Sequence, residues 1–255
     1  MDALGFAIDV SPDRRRGFDP AALFAGGAGG IWIDPSDPRT MFEDAAGTIP
    51  AAVDGPVGRI ADKSGRGNHA TQSLAASRPT LRRDPDGRHA LEFDGIDDFL
   101  VHGFGGPGDV TLSCAAQRTG GSGTTGLFGA TPPATRLQAG IWSLTLVPFW
   151  GSSEPEGYRS AGRDASVRSV LTVVGRANPD VHRMLTNGGA AVEMPGSYGG
   201  DTHDRRTIGR EFRGTMVQGQ FSGRLYALSG VARALTEDEL RELVAHQAAQ
   251  AGIRS

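Results

Sequence analysis

The chain has 255 residues, a formal net charge of −3, 38 glycines, 15 prolines and a single cysteine. With no excess of basic residues there is no field to gather nucleic acid, and Cys114 alone can form neither an internal disulfide nor a multi-cysteine zinc site. Glycine and proline exceed the usual share without reaching low complexity, which predicts a folded chain with many turns. The uncharged windows 119–135 and 137–153 are too short and too rich in Gly, Pro, Ser and Thr to span a bilayer. Met1–Phe6 has neither a basic nor a sustained apolar stretch, so no signal peptide is expected.

Residues 1–17 carry no periodicity and contain Arg14-Arg15-Arg16; they read as a docking arm without a core of its own. Phe18–Phe24 reads as one short helical turn, with Asp19 as N-cap and Pro20 at N1. From there to about residue 90, Asp34-Pro35, Asp37-Pro38, Asp54-Gly55, Ser64-Gly65 and Asp86-Gly87 leave room only for brief strands. The period then becomes two. Leu91 and Phe93 flank Glu92, and Val110, Leu112, Cys114 and Ala116 share one face. Trp142, Leu144 and Leu146 mark a third strand and 167–174 a fourth. Asn187-Gly188 predicts a type I′ hairpin within 181–194, and strands follow at 207–209 and 221–229. Strands at this spacing with no helices between them define an all-β, antiparallel two-sheet sandwich or jelly roll over 18–255.

A C-terminal α-helix packed on the sandwich is predicted from Thr236-Glu237-Asp238-Glu239, a capping box. Leu235 and Leu240 form its hydrophobic staple. Leu240, Leu243, Val244, Ala248 and Ala251 make an apolar stripe, and Gly252 occupies the C′ position.

Several blocks, in this order, resemble a known family. They are Trp32-Ile33-Asp34-Pro35-Ser36-Asp37 with Thr40–Asp44, Asp62-Lys63-Ser64-Gly65-Arg66-Gly67-Asn68-His69-Ala70 with Arg78-Pro79, and the apparent hairpin Leu91–Leu100. Phe221–Tyr226 and Arg233–Thr236 close the series. Together they are similar to the laminin-G-like jelly roll of phage and prophage particle proteins, in the concanavalin A-like lectin/glucanase superfamily. Residues 119–165 match it poorly. The resemblance implies a β-sandwich that binds sugars or partner surfaces, with catalysis in only some branches.

Retaining hydrolases of that superfamily carry a Glu-x-Asp-x-x-Glu strand that sets two carboxylates about 5–5.5 Å apart. This string is absent. Glu154-Pro155-Glu156 is the nearest pair and reads as a solvated loop, so no enzyme activity and no catalytic residue is assigned. Gly120-Gly121-Ser122-Gly123 lacks a phosphate-loop lysine and reads as a hairpin tip, and Cys114 reads as a buried, inert thiol. Asp94-Gly95-Ile96-Asp97-Asp98 clusters carboxylates that could hold calcium or could simply build a turn, and the turn is preferred; no metal or cofactor is assigned. Asp201-Thr202-His203-Asp204 is a second acidic group, next to Arg205-Arg206. The six histidines, His69, His89, His102, His182, His203 and His246, have no ligand spacing and read as structural.

Sugar rings stack on exposed aromatics, and Trp150, Tyr158 and Tyr198 sit among Gly and Ser; they are the candidate ligand-binding residues, or else plugs at the sandwich ends. The expected function is lectin-like: a component of a phage or phage-derived particle, as a fibre or spike, attaching to a host-surface polysaccharide. Its expected partners are other particle proteins and copies of itself, and its expected site of assembly is the bacterial cytoplasm. A purely structural particle module is the alternative, and a glycan hydrolase the least favoured reading. Deleting residues 1–17 is expected to leave the sandwich folded by circular dichroism while abolishing particle incorporation and cell attachment. Normal assembly by the truncated protein would reject the arm's role.

Overall fold

The computed structural model describes residues 17–105, 108–121, 124–130, 138–142, 145–149, 166–177, 180–194, 206–213 and 216–254. The expected arm lies outside them apart from Gly17. Asp19 caps a 3-10 segment, Pro20–Gly27, by accepting from the Ala21 amide at 3.0 Å. The frequent turns then allow strands of two to six residues: β1 (Gly30–Ile33), β2 (Met41–Phe42), β3 (Arg59–Ile60), β4 (Ala70–Thr71), β5 (Thr80–Arg83), β6 (His89–Asp94) and β7 (Leu100–His102). The alternating region gives β8 (Val110–Arg118), β9 (Thr124–Ala130), β10 (Gln138–Trp142), β11 (Thr145–Phe149) and β12 (Ser169–Ala177). It continues with β13 (Asp180–Thr186), β14 (Val192–Met194), β15 (Arg206–Ile208), β16 (Arg210–Arg213), β17 (Met216–Gln220) and β18 (Ser222–Val231). Helix α1 covers Glu237–Ala251.

Two antiparallel sheets face each other. One runs β14-β13-β12-β8-β18-β6-β5, with β1 also paired to β18; the other runs β11-β10-β9-β15-β7-β4-β3-β2. β16 and β17 form a separate ribbon. Between the sheets lies a core of Ile31, Ile60, Leu91, Phe93, Leu112, Cys114, Phe128, Leu171, Ile208, Phe221, Leu225 and their neighbours. This is the expected sandwich with its C-terminal helix.

Strand β8 shows how the helix is held. Val110, Leu112, Cys114 and Ala116 enter the inter-sheet core, as their alternation predicts. Thr111, Ser113 and Ala115, on the opposite face, are buried as well because α1 covers them. The small residues there let the helix approach closely. Leu240, Leu243, Val244, Ala248 and Ala251 are all buried, and so is Gln247, which the apolar stripe left out. The Gln247 Oε1 accepts from the Ser113 hydroxyl at 2.7 Å, and its Nε2 donates to the Ser113 carbonyl at 3.2 Å. The Thr236–Glu239 capping box is formed, and Gly252 ends the helix at φ 68°. The left-handed backbone there calls for glycine, while the Arg88 side chain packs over it.

Three local expectations change. Trp142 and Leu146 belong to two strands, because β10 and β11 form a hairpin with Trp142 opposite Thr145. Asn187 and Gly188 do take positive φ, but β13 and β14 begin pairing only at Met184–Val192. The Asn187 side chain is engaged elsewhere, accepting from the Val170 amide at 2.7 Å. The third change concerns both expected hairpin tips. β6 and β7 lie in different sheets, as do β8 and β9, so the chain changes sheet after β6 and again after β8. Tight turn chemistry in the sequence looks the same whether the chain returns beside itself or crosses the core.

Replacing Gln247 by Ala strips the buried Ser113 carbonyl of its side-chain donor and is expected to cost about 1–3 kcal/mol in chemical denaturation. Arg39→Ala, which breaks the pair of a fully exposed guanidinium with Asp37, is expected to leave the denaturation midpoint nearly unchanged.

Candidate functional site

Trp150 and Tyr158 fall in 150–165 and Tyr198 in 195–205, so all three expected ligand residues lie outside the described residues. Glu154, Glu156 and the Asp201–Asp204 group lie outside them too. The strands that precede these segments, β11 and β14, are each the edge of their sheet. At the other margin the sheets are tied together, with the Val57 amide donating to the Pro79 carbonyl at 2.7 Å.

The blocks that carry the family resemblance hold the fold. Asp62 accepts from the Trp32, Ser64 and Asn68 amides at 2.8–2.9 Å and from the Ser64 hydroxyl at 2.7 Å, pinning the 62–69 loop onto β1. His69 Nδ1 accepts from the Asp62 amide at 3.0 Å. Lys63 reaches Asp34 at 2.6 Å and lies 4.7 Å from the Trp32 ring centre. These are structural roles.

A second polar assembly covers the outer face of the first sheet and was not legible in the sequence. Buried Asp84 pairs with Arg224 and Arg168 and accepts from the Tyr226 hydroxyl at 2.7 Å. Arg224 continues to Glu92 at 2.9 Å, and Glu92 to Arg82. Arg168 also donates to the Ala251 carbonyl at 2.9 Å, placing a cation at the C-terminus of α1, where the helix dipole favours one. Burial, and then the bond to Asp84, push the Tyr226 hydroxyl up to about 12. Every acid and base here meets an opposite charge, so the assembly is a brace.

The candidate site is the rim where residues 95–99 and 119–121 meet the start of β18. Asp94 Oδ1 accepts from the Ile96 amide at 2.7 Å and the Asp97 amide at 3.2 Å, while Asp98 Oδ2 accepts from the Asp94 amide at 3.0 Å. Asp97 accepts from the Ser77 hydroxyl at 2.8 Å. The turn-building role read from the sequence is therefore present, although one oxygen of each carboxylate lies within 4.8 Å of the others. Gly95 has φ 79°, and a Cβ on it would lie 2.6 Å from the Ser222 Cβ, so this turn must press against β18 as glycine.

Across β18 stands Arg118, the last residue of β8. It continues the inward series Val110, Leu112, Cys114, Ala116 by one further step of two and is 3% exposed. Its Nε donates to the Gly120 carbonyl at 2.8 Å. The charged residue in phase with an apolar face was the signal that could have found it. Cys114, two steps earlier, is buried, and burial pushes its thiol up to about 12, as an inert core cysteine requires. Chemically, the rim combines carboxylate acceptors with a guanidinium donor, the groups that bind sugar hydroxyls and acids. Among the described residues no helix is long and apolar enough to cross a membrane.

By architecture the chain is an antiparallel β-sandwich domain. No family model matches it, and no curated protein does. Solved structures do. The binding domain of botulinum neurotoxin DC in complex with rat synaptotagmin II matches at TM-score 0.54 and 11% identity, over 72% of this chain and 48% of that one. The botulinum neurotoxin serotype D ligand-binding domain in complex with N-acetylneuraminic acid matches at TM-score 0.54 and 7% identity, over 74% and 48%. A Trypanosoma rangeli sialidase in complex with a difluoro-KDN matches at TM-score 0.58 and 13% identity, over 86% and 33%. The chain thus spans about half the length of the toxin structures and a third of the sialidase. At these identities the likeness establishes the shared sandwich fold.

Burial, reinforced by the neighbouring Asp94, Asp97 and Glu92 charges, raises Asp98 from 3.8 to about 7. Between those values the folded state holds a proton that the unfolded state has lost, so this group's contribution to stability falls as pH rises from about 4 to about 7. Asp98→Asn keeps an oxygen for the Asp94 amide and removes the charge. Its melting temperature is expected to match wild type near pH 4 and exceed it at pH 8; an unchanged difference across that range would refute the assignment.

Proposed function

We propose that this chain is a non-enzymatic carbohydrate-binding domain, acting as a fibre-type or spike-type component of a phage or phage-derived particle. The observation that carries the reading is the sandwich shared with structures solved with sugar ligands, among them one with N-acetylneuraminic acid. A complex of botulinum neurotoxin DC with a sialyl-T sugar and a type C toxin whose cell entry depends on two ganglioside molecules belong to the same group. The order of the Trp32–Asp44, Asp62–Ala70, Leu91–Leu100 and Phe221–Thr236 blocks supports the particle context. In this reading the domain holds a host-surface polysaccharide, copies of the chain associate with one another and with other particle proteins, and the 1–17 arm docks them.

A shallow sugar site of millimolar affinity supplies only about −4 kcal/mol. Several copies on one particle raise avidity by about 10²–10⁴ through intramolecular rebinding. The reading therefore needs multivalency.

A screen of bacterial surface polysaccharides and sialylated glycans, with the protein displayed multivalently, is expected to give binding without release of reducing ends. Turnover lost on Glu154→Gln or Glu156→Gln would replace this reading by a hydrolase. Absence of binding to every glycan would leave a structural module.

A further inference from the structure

Burying an arginine is tolerable when a carboxylate meets it, and three arginines here follow that rule. Arg168 and Arg224 converge on Asp84, and Arg233 meets Glu239 at 2.6 Å. Arg118 departs from it. The Nη1 and Nη2 atoms are both buried and have no hydrogen-bond partner among the described residues. Burial lowers its pKa with no carboxylate among the described residues acting to restore it. A guanidinium does not give up its proton in a protein, so a full charge stays inside the sandwich rim with two of its three nitrogens unserved.

The position makes this cost avoidable. Arg118 occupies the next inward place after Val110, Leu112, Cys114 and Ala116, where an apolar side chain would simply extend the core. Nothing in the backbone demands arginine either: its strand bonds are ordinary pairing opposite Gly223. Among the described residues the side chain makes one hydrogen bond, from Nε to the Gly120 carbonyl, and its covered Nη1–Nη2 edge has no acceptor. That edge presents two parallel N–H donors, the geometry that a carboxylate takes bidentately. Its cover includes the glycine turn that crosses between the sheets, since a Cβ built on Gly121 would stand 3.6 Å from Nη2.

Resting on the carbohydrate-binding reading above, we propose that Arg118 anchors the carboxylate of an acidic sugar at the sandwich rim, beneath the 119–121 turn. The site would then select glycans bearing uronic or sialic acid over neutral ones.

Titration calorimetry and ligand-observed NMR with glucuronic acid and N-acetylneuraminic acid, each beside its methyl ester, test this without altering the protein. The free acids are expected to bind at least about tenfold more tightly than the esters. Arg118→Met should remove that preference while its melting temperature stays level or rises, because an unpaired buried charge is replaced by an apolar chain of similar length. Arg118→Lys keeps the charge without the fork and should weaken acid binding at least about tenfold, which guards against a misfolded methionine variant. Equal binding of acids and esters, or full acid binding by either variant, overturns the proposal. A wild-type protein that binds neutral glycans with no preference for acids rejects this inference alone; one that binds no glycan rejects the carbohydrate reading with it.

Discussion

The pairing of β18 is the constraint on which the rest of the molecule depends. Ten residues long, it lies against β8 along one edge and against β6 and then β1 along the other. Its inner residues Leu225 and Leu228 belong to the core between the sheets, while Tyr226 and Ala227 on its outer face belong to the cluster under α1. A strand so placed is buried on both faces, and its last seven positions are all buried. Sheet order, helix docking and the geometry of the rim all refer back to it. Asp94 sits opposite Ser222, and Arg118 opposite Gly223, so the two sequence regions that make up the rim are spaced by β18 itself.

Two kinds of polar group occupy the interior, and they behave differently. The Asp84 assembly, the Asp62 loop anchor and Gln247 beneath the helix are saturated with partners, and they fix register and docking where apolar packing alone would leave sliding room. Asp98 and Arg118 carry strain. One is a carboxyl held toward its neutral form, and the other is a cation whose two Nη atoms have no acceptor among the described residues. Both stand at the same end of the sandwich, where the chain crosses between sheets. Two such groups on a braced scaffold suit a place where binding groups are set before the ligand arrives.

The sequence made the repeating parts of this fold legible. Period-two alternation located β6, β8, β12 and β18, and the capping box located α1 to the residue, because those signals arise from neighbours in the chain. Sheet membership was not legible. The 94–98 turn has the aspartates and glycine of a hairpin, yet it joins two sheets, and no local signal separates the two outcomes. The Asp84–Arg168–Arg224 brace escaped for the same reason, since its members are 56 to 140 positions apart and meet only through the sheet order. Arg118 was visible as a break in an apolar series, but only once the series was carried one step past Ala116. Of the aromatic trio chosen from its loop-like surroundings, the described residues contain none.

The central place of β18 also bears on how the molecule is made. During synthesis on the ribosome, β6 and β8 emerge more than a hundred residues before the strand that belongs between them. Until residues 222–231 arrive, each presents an unpaired edge, and an apolar face waits without its helix. The nascent chain therefore passes through a long interval with two open sheet halves, and it closes in one late event. Chaperone occupancy and slow elongation through the final quarter would matter more to this protein than to one whose central strand comes first.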